Sequence, residues 1–168
     1  MKKILCLFCL VFSMLMLTAC GSDANQISVA EAGYICDGNV IYGENFSCKI
    51  TANAVGGGIF SLKINEPSNI AGLTYFFDNS EMSVSYGELK GDTAVPLEYG
   101  GFAEILNEIF LKFTTSVPTV IQKNGKYLYE GNNAKYKFTV VFNEQGFPLS
   151  ITVDKENLVA TFSNWRYK

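Results

Sequence analysis

The side chains this chain has, and their spacing, bound the chemistry open to it. There is no histidine in its 168 residues, which removes the commonest general base and the commonest metal ligand. Among its five cysteines, Cys6 and Cys9 spell C-x-x-C, a spacing that elsewhere supports dithiol redox chemistry. Cys36 and Cys48 flank a predicted hairpin; a bridge between them and two partly buried free thiols are equally open, because sequence does not fix Cα separation. Glu104 and Glu108 share one helix face, as an acid/base pair would require, although the polar face of a surface helix is the commoner reason for such spacing. Gly56-Gly57-Gly58 runs into Ile-Phe-Ser-Leu rather than a helix, so it reads as a turn and not as a phosphate cradle. No G-x-S-x-G, S-x-x-K or G-x-x-x-x-G-K-[ST] pattern is present, and no catalytic constellation emerges. The expectation is a protein that is not an enzyme and uses no cofactor and no metal.

Composition narrows the class further. Hydrophobic residues make up 48% of the chain, aromatic residues 14% and charged residues only 17%. A disordered or coiled-coil protein would carry more charge and fewer core-forming residues. With a formal charge of −3 there is no basic field to hold nucleic acid.

The start of the chain reads as an address. Lys2 and Lys3 precede an apolar run from Ile4 to Leu17, which is the charge and length pattern of a secretory signal and too short for a comfortable membrane span. It ends in Leu17-Thr18-Ala19-Cys20. That tetrapeptide resembles the lipobox of bacterial lipoproteins, which implies cleavage before Cys20 and acylation of its thiol by palmitate-type chains. Residues 1–19 are then a signal peptide, 20–30 the lipidated cysteine with a flexible tether (Gly21 to Gln26 are small and polar), and 31–168 a single domain. Cleavage discards Cys6, Cys9 and both leading lysines, so the formal charge falls from −3 to −5. An acidic body is not drawn to anionic lipid. Membrane attachment, at the extracytoplasmic face, would depend on Cys20.

The domain itself alternates with period two. Cys48, Ile50 and Ala52 stand against Lys49, Thr51 and Asn53; Phe60, Leu62 and Ile64 against Ser61, Lys63 and Asn65; Tyr136, Phe138, Val140 and Phe142 against Lys135, Lys137 and Thr139; Leu149, Ile151 and Val153 against Ser150 and Thr152. This pattern predicts about eight or nine antiparallel strands, each with one buried and one wet face. Gly101 to Ser116 is different. Phe102, Ile105, Leu106, Ile109, Phe110 and Phe113 follow helical spacing, with Glu104, Asn107, Glu108 and Lys112 predicted opposite, and Pro118 closing the segment. A stripe with three phenylalanines must press on the sheet's apolar face.

A lipobox signal, a meander, one helix and more meander is similar to the lipoprotein-carrier (LolA/LolB-like) superfamily, and to its Gram-positive members in particular. Pro67-Ser68-Asn69-Ile70-Ala71-Gly72-Leu73 resembles their P-x-x-(apolar)-x-G-L turn, Gly146-Phe147-Pro148-Leu149-Ser150-Ile151 their G-x-P-x-x-I strand start, and Phe162-Ser163-Asn164-Trp165 their closing aromatic strand. The resemblance implies a mainly β fold with one amphipathic helix (α+β): a curved antiparallel meander forming an incomplete barrel, with the helix packed on its concave face. It also implies a pocket for a hydrophobic ligand (a lipid, a lipopeptide or an apolar small molecule), lined by Phe60, Leu62, Phe76, Phe102, Leu106, Phe110, Phe138, Phe142 and Phe162. The same residues would equally make a filled core. Germination lipoproteins of similar architecture bind a cell-wall amidase, so the resemblance leaves open an alternative: a non-catalytic module or scaffold whose partner is an envelope protein or a second copy.

Overall fold

The computed structural model describes residues 24–26, 33–79, 81–87, 89–90, 101–115 and 118–167. The leader and Cys20 lie outside the described residues. In chain order the elements are β1 (Ala24–Gln26), β2 (Tyr34–Tyr42), β3 (Phe46–Gly56), β4 (Ile59–Glu66), β5 (Leu73–Asp78), β6 (Glu81–Tyr86), β7 (Leu89–Lys90), α1 (Phe102–Thr115), β8 (Thr119–Lys123), β9 (Lys126–Asn132), β10 (Lys137–Phe142), β11 (Pro148–Val153) and β12 (Leu158–Tyr167).

All twelve strands join one antiparallel sheet in the order β1-β8-β9-β10-β11-β12-β2-β3-β4-β5-β6-β7. Both halves are meanders, and the last strand, β12, closes against the early strand β2 to join them. This corrects the expected architecture. The sheet is longer than predicted, and its ends, β1 and β7, are not paired with one another. Among the described residues the protein is mainly β, with one α-helix on a long open sheet; an incomplete barrel holding the helix on a concave face is not what forms.

The added length comes from segments without alternation. β8 and β9 carry Lys123 and Lys126 and are mostly exposed or half-buried, so hydrophobic period does not mark them. Their connection does: Asn124 (φ 53°) and Gly125 (φ 70°) form the two-residue turn that suits right-twisted hairpins. Ala24–Gln26, expected in the flexible tether, instead pairs with β8.

Elsewhere the alternation holds. Cys48, Ile50, Ala52 and Ala54 on β3, Phe60, Leu62 and Ile64 on β4, and Leu158, Ala160 and Phe162 on β12 are all buried. The Gly56–Gly58 segment turns β3 into β4 with φ of 99°, 62° and 82°; a side chain at Gly58 would strike the Asn79 carboxamide. Pro67 to Leu73 turns β4 into β5, held by the Ile70 and Leu73 amides donating to the carbonyls of Pro67 and Ile70. Asn143 Oδ1 accepts from the amides of Gln145 and Phe147, which sets up β11 to begin at Pro148.

Strand register also decides the cysteines. Cys36 lies opposite Ala52, and Cys48 opposite Val40. That offset of four residues separates them by roughly 13 Å along the strand, against a limit of about 7 Å for a disulfide. The bridge considered from sequence is not formed, and both are buried free thiols.

Candidate functional site

Helix α1 supplies one wall of the site and the sheet supplies the other. At the N-terminal end of α1, the Phe102 ring lies 5.4 Å from that of Phe46 and 5.9 Å from that of Tyr75. Two turns on, the Phe110 ring lies 4.7 Å from that of Phe60 on β4 and 5.6 Å from that of Phe162 on β12. Leu106 between them is fully buried, as is Leu62. Two aromatic groups, with Leu106 between them, therefore form an apolar seam beneath the helix. The side chain of Phe113, the last member of the predicted stripe, is outside the described residues.

Of the nine residues predicted to line a ligand pocket, eight belong to this one buried cluster. Phe142 is fully buried in it, and Phe138 lies at its margin, 5.9 Å from the Tyr129 ring and beneath the Lys112 ammonium at 5.6 Å. Phe76 is the exception. It is 43% exposed, while its neighbour Phe77 is buried opposite Phe60. Two adjacent phenylalanines make the register of β5 ambiguous by one residue, and that slip exchanges faces.

The seam is filled rather than hollow. The space between α1 and the β3–β4 turn is a partly open pocket of about 20 Å³, lined by Tyr34, Phe60, Asn107, Phe110 and Leu111 among others. That is room for about one water. Tyr34 connects this pocket to a second aromatic group: its ring lies 5.1 Å from Trp165, which stacks on Phe147 at 5.0 Å.

Two departures from the predicted helix face matter. Asn107, expected on the polar side, is 0% exposed, and neither of its side-chain polar atoms has a hydrogen-bond partner. Glu104 is also buried, at 6% exposure. It is paired with Lys135 at 2.9 Å, and the same ammonium lies 3.5 Å from Glu108. The Tyr136 hydroxyl (2.5 Å) and Asn133 Nδ2 (2.7 Å) both donate to Glu108 Oε2. Asn133 Oδ1 in turn accepts from the Lys135 and Tyr136 amides, which fixes the β9–β10 connection. The hydrogen bond to Glu104, and then the charge of Glu108, raise the Lys135 pKa. Burial, reinforced by the bond to Glu108, raises that of Tyr136. These carboxylates latch the helix to the hairpin through Lys135, Tyr136 and Asn133. Those contacts fit a structural role better than acid/base work.

Among the described residues no three histidine, cysteine, aspartate or glutamate side chains converge as a metal site, and no helix is long and apolar enough to cross a membrane.

No family model and no curated protein matches the sequence. Solved structures of similar shape include a LolA superfamily protein from Nitrosomonas europaea (11% identity, TM-score 0.48, covering 86% of this chain and 90% of that one). Others are a conserved protein from Thermus thermophilus (7%, 0.46, 83% and 80%) and a putative outer membrane lipoprotein-sorting protein domain from Vibrio parahaemolyticus (10%, 0.45, 84% and 88%).

Proposed function

We propose that this protein is a membrane-anchored lipoprotein, held at the extracytoplasmic face through acylated Cys20, whose folded domain binds a hydrophobic ligand between α1 and the sheet without catalysing a reaction. The observation that carries the reading is the aromatic seam itself. It runs along α1 from Phe102 to Phe110 and comes to the surface at the pocket beside the β3–β4 turn.

Ligand sites of ordinary size occupy at least about 300 Å³, so a pocket of about 20 Å³ requires the helix stripe to yield. The ligand would take over contacts that Phe110 now makes with Phe60 and Phe162. Because those contacts are non-directional and apolar, exchange for an acyl chain leaves little net change in buried area. The latch at Glu104 and Glu108 would hold one flank of α1 while the Phe110 side opens.

The test is a titration with the uncharged fluorophore N-phenyl-1-naphthylamine, followed by displacement with dodecanol. Saturable one-to-one binding that dodecanol reverses is expected. Fluorescence that rises only in proportion to protein, without saturation, would refute the ligand site. The anchor is tested separately: the intact mass of the protein extracted from membranes should equal residues 20–168 plus acyl chains, and a chain without that added mass would refute acylation at Cys20.

A further inference from the structure

Asn107 is a costly residue where it stands. It lies in the interior of α1, where asparagine is a weaker helix former than leucine, and it is fully buried with both Oδ1 and Nδ2 unpaired. Burial strips such groups of their water and, without a partner, returns nothing for it. The pocket it lines is otherwise walled by Tyr34, Ile59, Phe60, Phe110 and Leu111 with small residues of the β3–β4 turn, and no charged side chain is among them. A lone carboxamide in an apolar wall is an arrangement that orients a ligand.

We propose that Asn107 is the polar anchor of the ligand site, and that the ligand carries a primary amide at the end of an apolar arm. The chemistry selects the amide. A carboxamide presents one acceptor and one donor side by side, and a group that also carries both on one edge, as a primary amide does and a trans secondary amide does not, satisfies the two together. An ester returns acceptors alone. A carboxylate or phosphate does the same and brings a charge that none of the lining residues neutralises. The apolar arm follows the seam past Phe110 and Phe60. This inference rests on the reading of the seam as a ligand site. The amide can come from a fatty amide or from the carboxamide of an apolar peptide segment.

Three probes distinguish the cases by competition with N-phenyl-1-naphthylamine: dodecanamide, the ester methyl dodecanoate, and acetyl-Leu-Leu-Leu-amide. The wild-type protein should bind the dodecanamide or the peptide at least about tenfold more tightly than the ester, and the tighter amide identifies the source. Asn107→Leu should abolish that preference while raising the melting temperature of the free protein, because the unpaired carboxamide is gone. Equal binding of amides and ester by the wild-type protein would overturn the anchor yet leave the apolar site standing, and that comparison needs no variant to fold. Retained preference in Asn107→Leu would also overturn it. So would a lowered melting temperature, which would mark Asn107 as the partner of a structural water. If none of the three probes competes, both the anchor and the ligand site fall.

Discussion

Cys36 and Cys48 show how burial, above other causes, sets a residue's chemistry. Burial pushes the Cys36 thiol up to about 12 and the Cys48 thiol up to about 11. Both should stay unreactive towards maleimide at pH 7 in the folded protein and label fully once it is unfolded. Their linkage to stability has a definite sign. A thiol raised in the folded state holds its proton after the unfolded chain has lost it, so its contribution is intact below the ordinary thiol range and is lost as pH rises through about 9 to 12. Denaturation midpoints should be flat from pH 7 to about 8.5 and fall above it, less steeply in a Cys36→Ala/Cys48→Ala variant. Tyr34, Tyr75 and Tyr136, also raised chiefly by burial, add to the alkaline fall. Sterics set Gly131 instead: a Cβ there would run into the Phe138 ring. Gly131→Ala should therefore destabilise by about 1–3 kcal/mol in urea titration. At this scale the sequence was uneven as a guide. Alternation placed Phe60, Leu62 and Ile64 inside, but Phe76 and Phe77 are alike in type and only pairing with Phe60 decides between them. Nothing in residue type marked Asn107 for burial.

The helix is the element on which the proposed function depends, and its two flanks are held by different forces. The aromatic seam is generic burial, whereas the Glu104–Lys135 pair is specific. Lys135→Met would leave the buried Glu104 carboxylate without its cation and should destabilise the fold by about 1–3 kcal/mol. Lys49→Met, which breaks a pair exposed on both sides, should cost less than about 1 kcal/mol. Equal losses in the two variants would show that Glu104 is not the buried partner described. The helix, its limits and its apolar stripe were legible because 3.6-residue periodicity is strong over fourteen residues. Its polar side was misread because amphipathicity records which face is most apolar, not how much of the helix the rest of the fold covers. Glu104 and Asn107 are buried by that cover, and the latch to Asn133, Lys135 and Tyr136 joins residues more than twenty positions apart in sequence.

The whole molecule is a long open sheet whose first and second meanders meet at β2 and β12. Its outermost described strands are short, three residues in β1 and two in β7, which limits the edge available for pairing with another chain. Strand count and closure were the least legible features. Pairing between β12 and β2 is non-local, and β8 and β9 lack alternation, so only the Asn124-Gly125 turn betrayed them. A filled seam beneath a latched helix can bind an apolar ligand only if that ligand replaces core contacts around Phe110 and Leu106. The most direct measurement is native mass spectrometry of the protein purified without detergent, alongside Leu106→Trp, which overfills the seam at a fully buried position. Circular dichroism would first establish that the variant is folded. The ligand reading requires a discrete adduct of lipid-range mass on the wild-type protein and its loss from Leu106→Trp. A bare wild-type protein, or an adduct that survives the tryptophan, would contradict it.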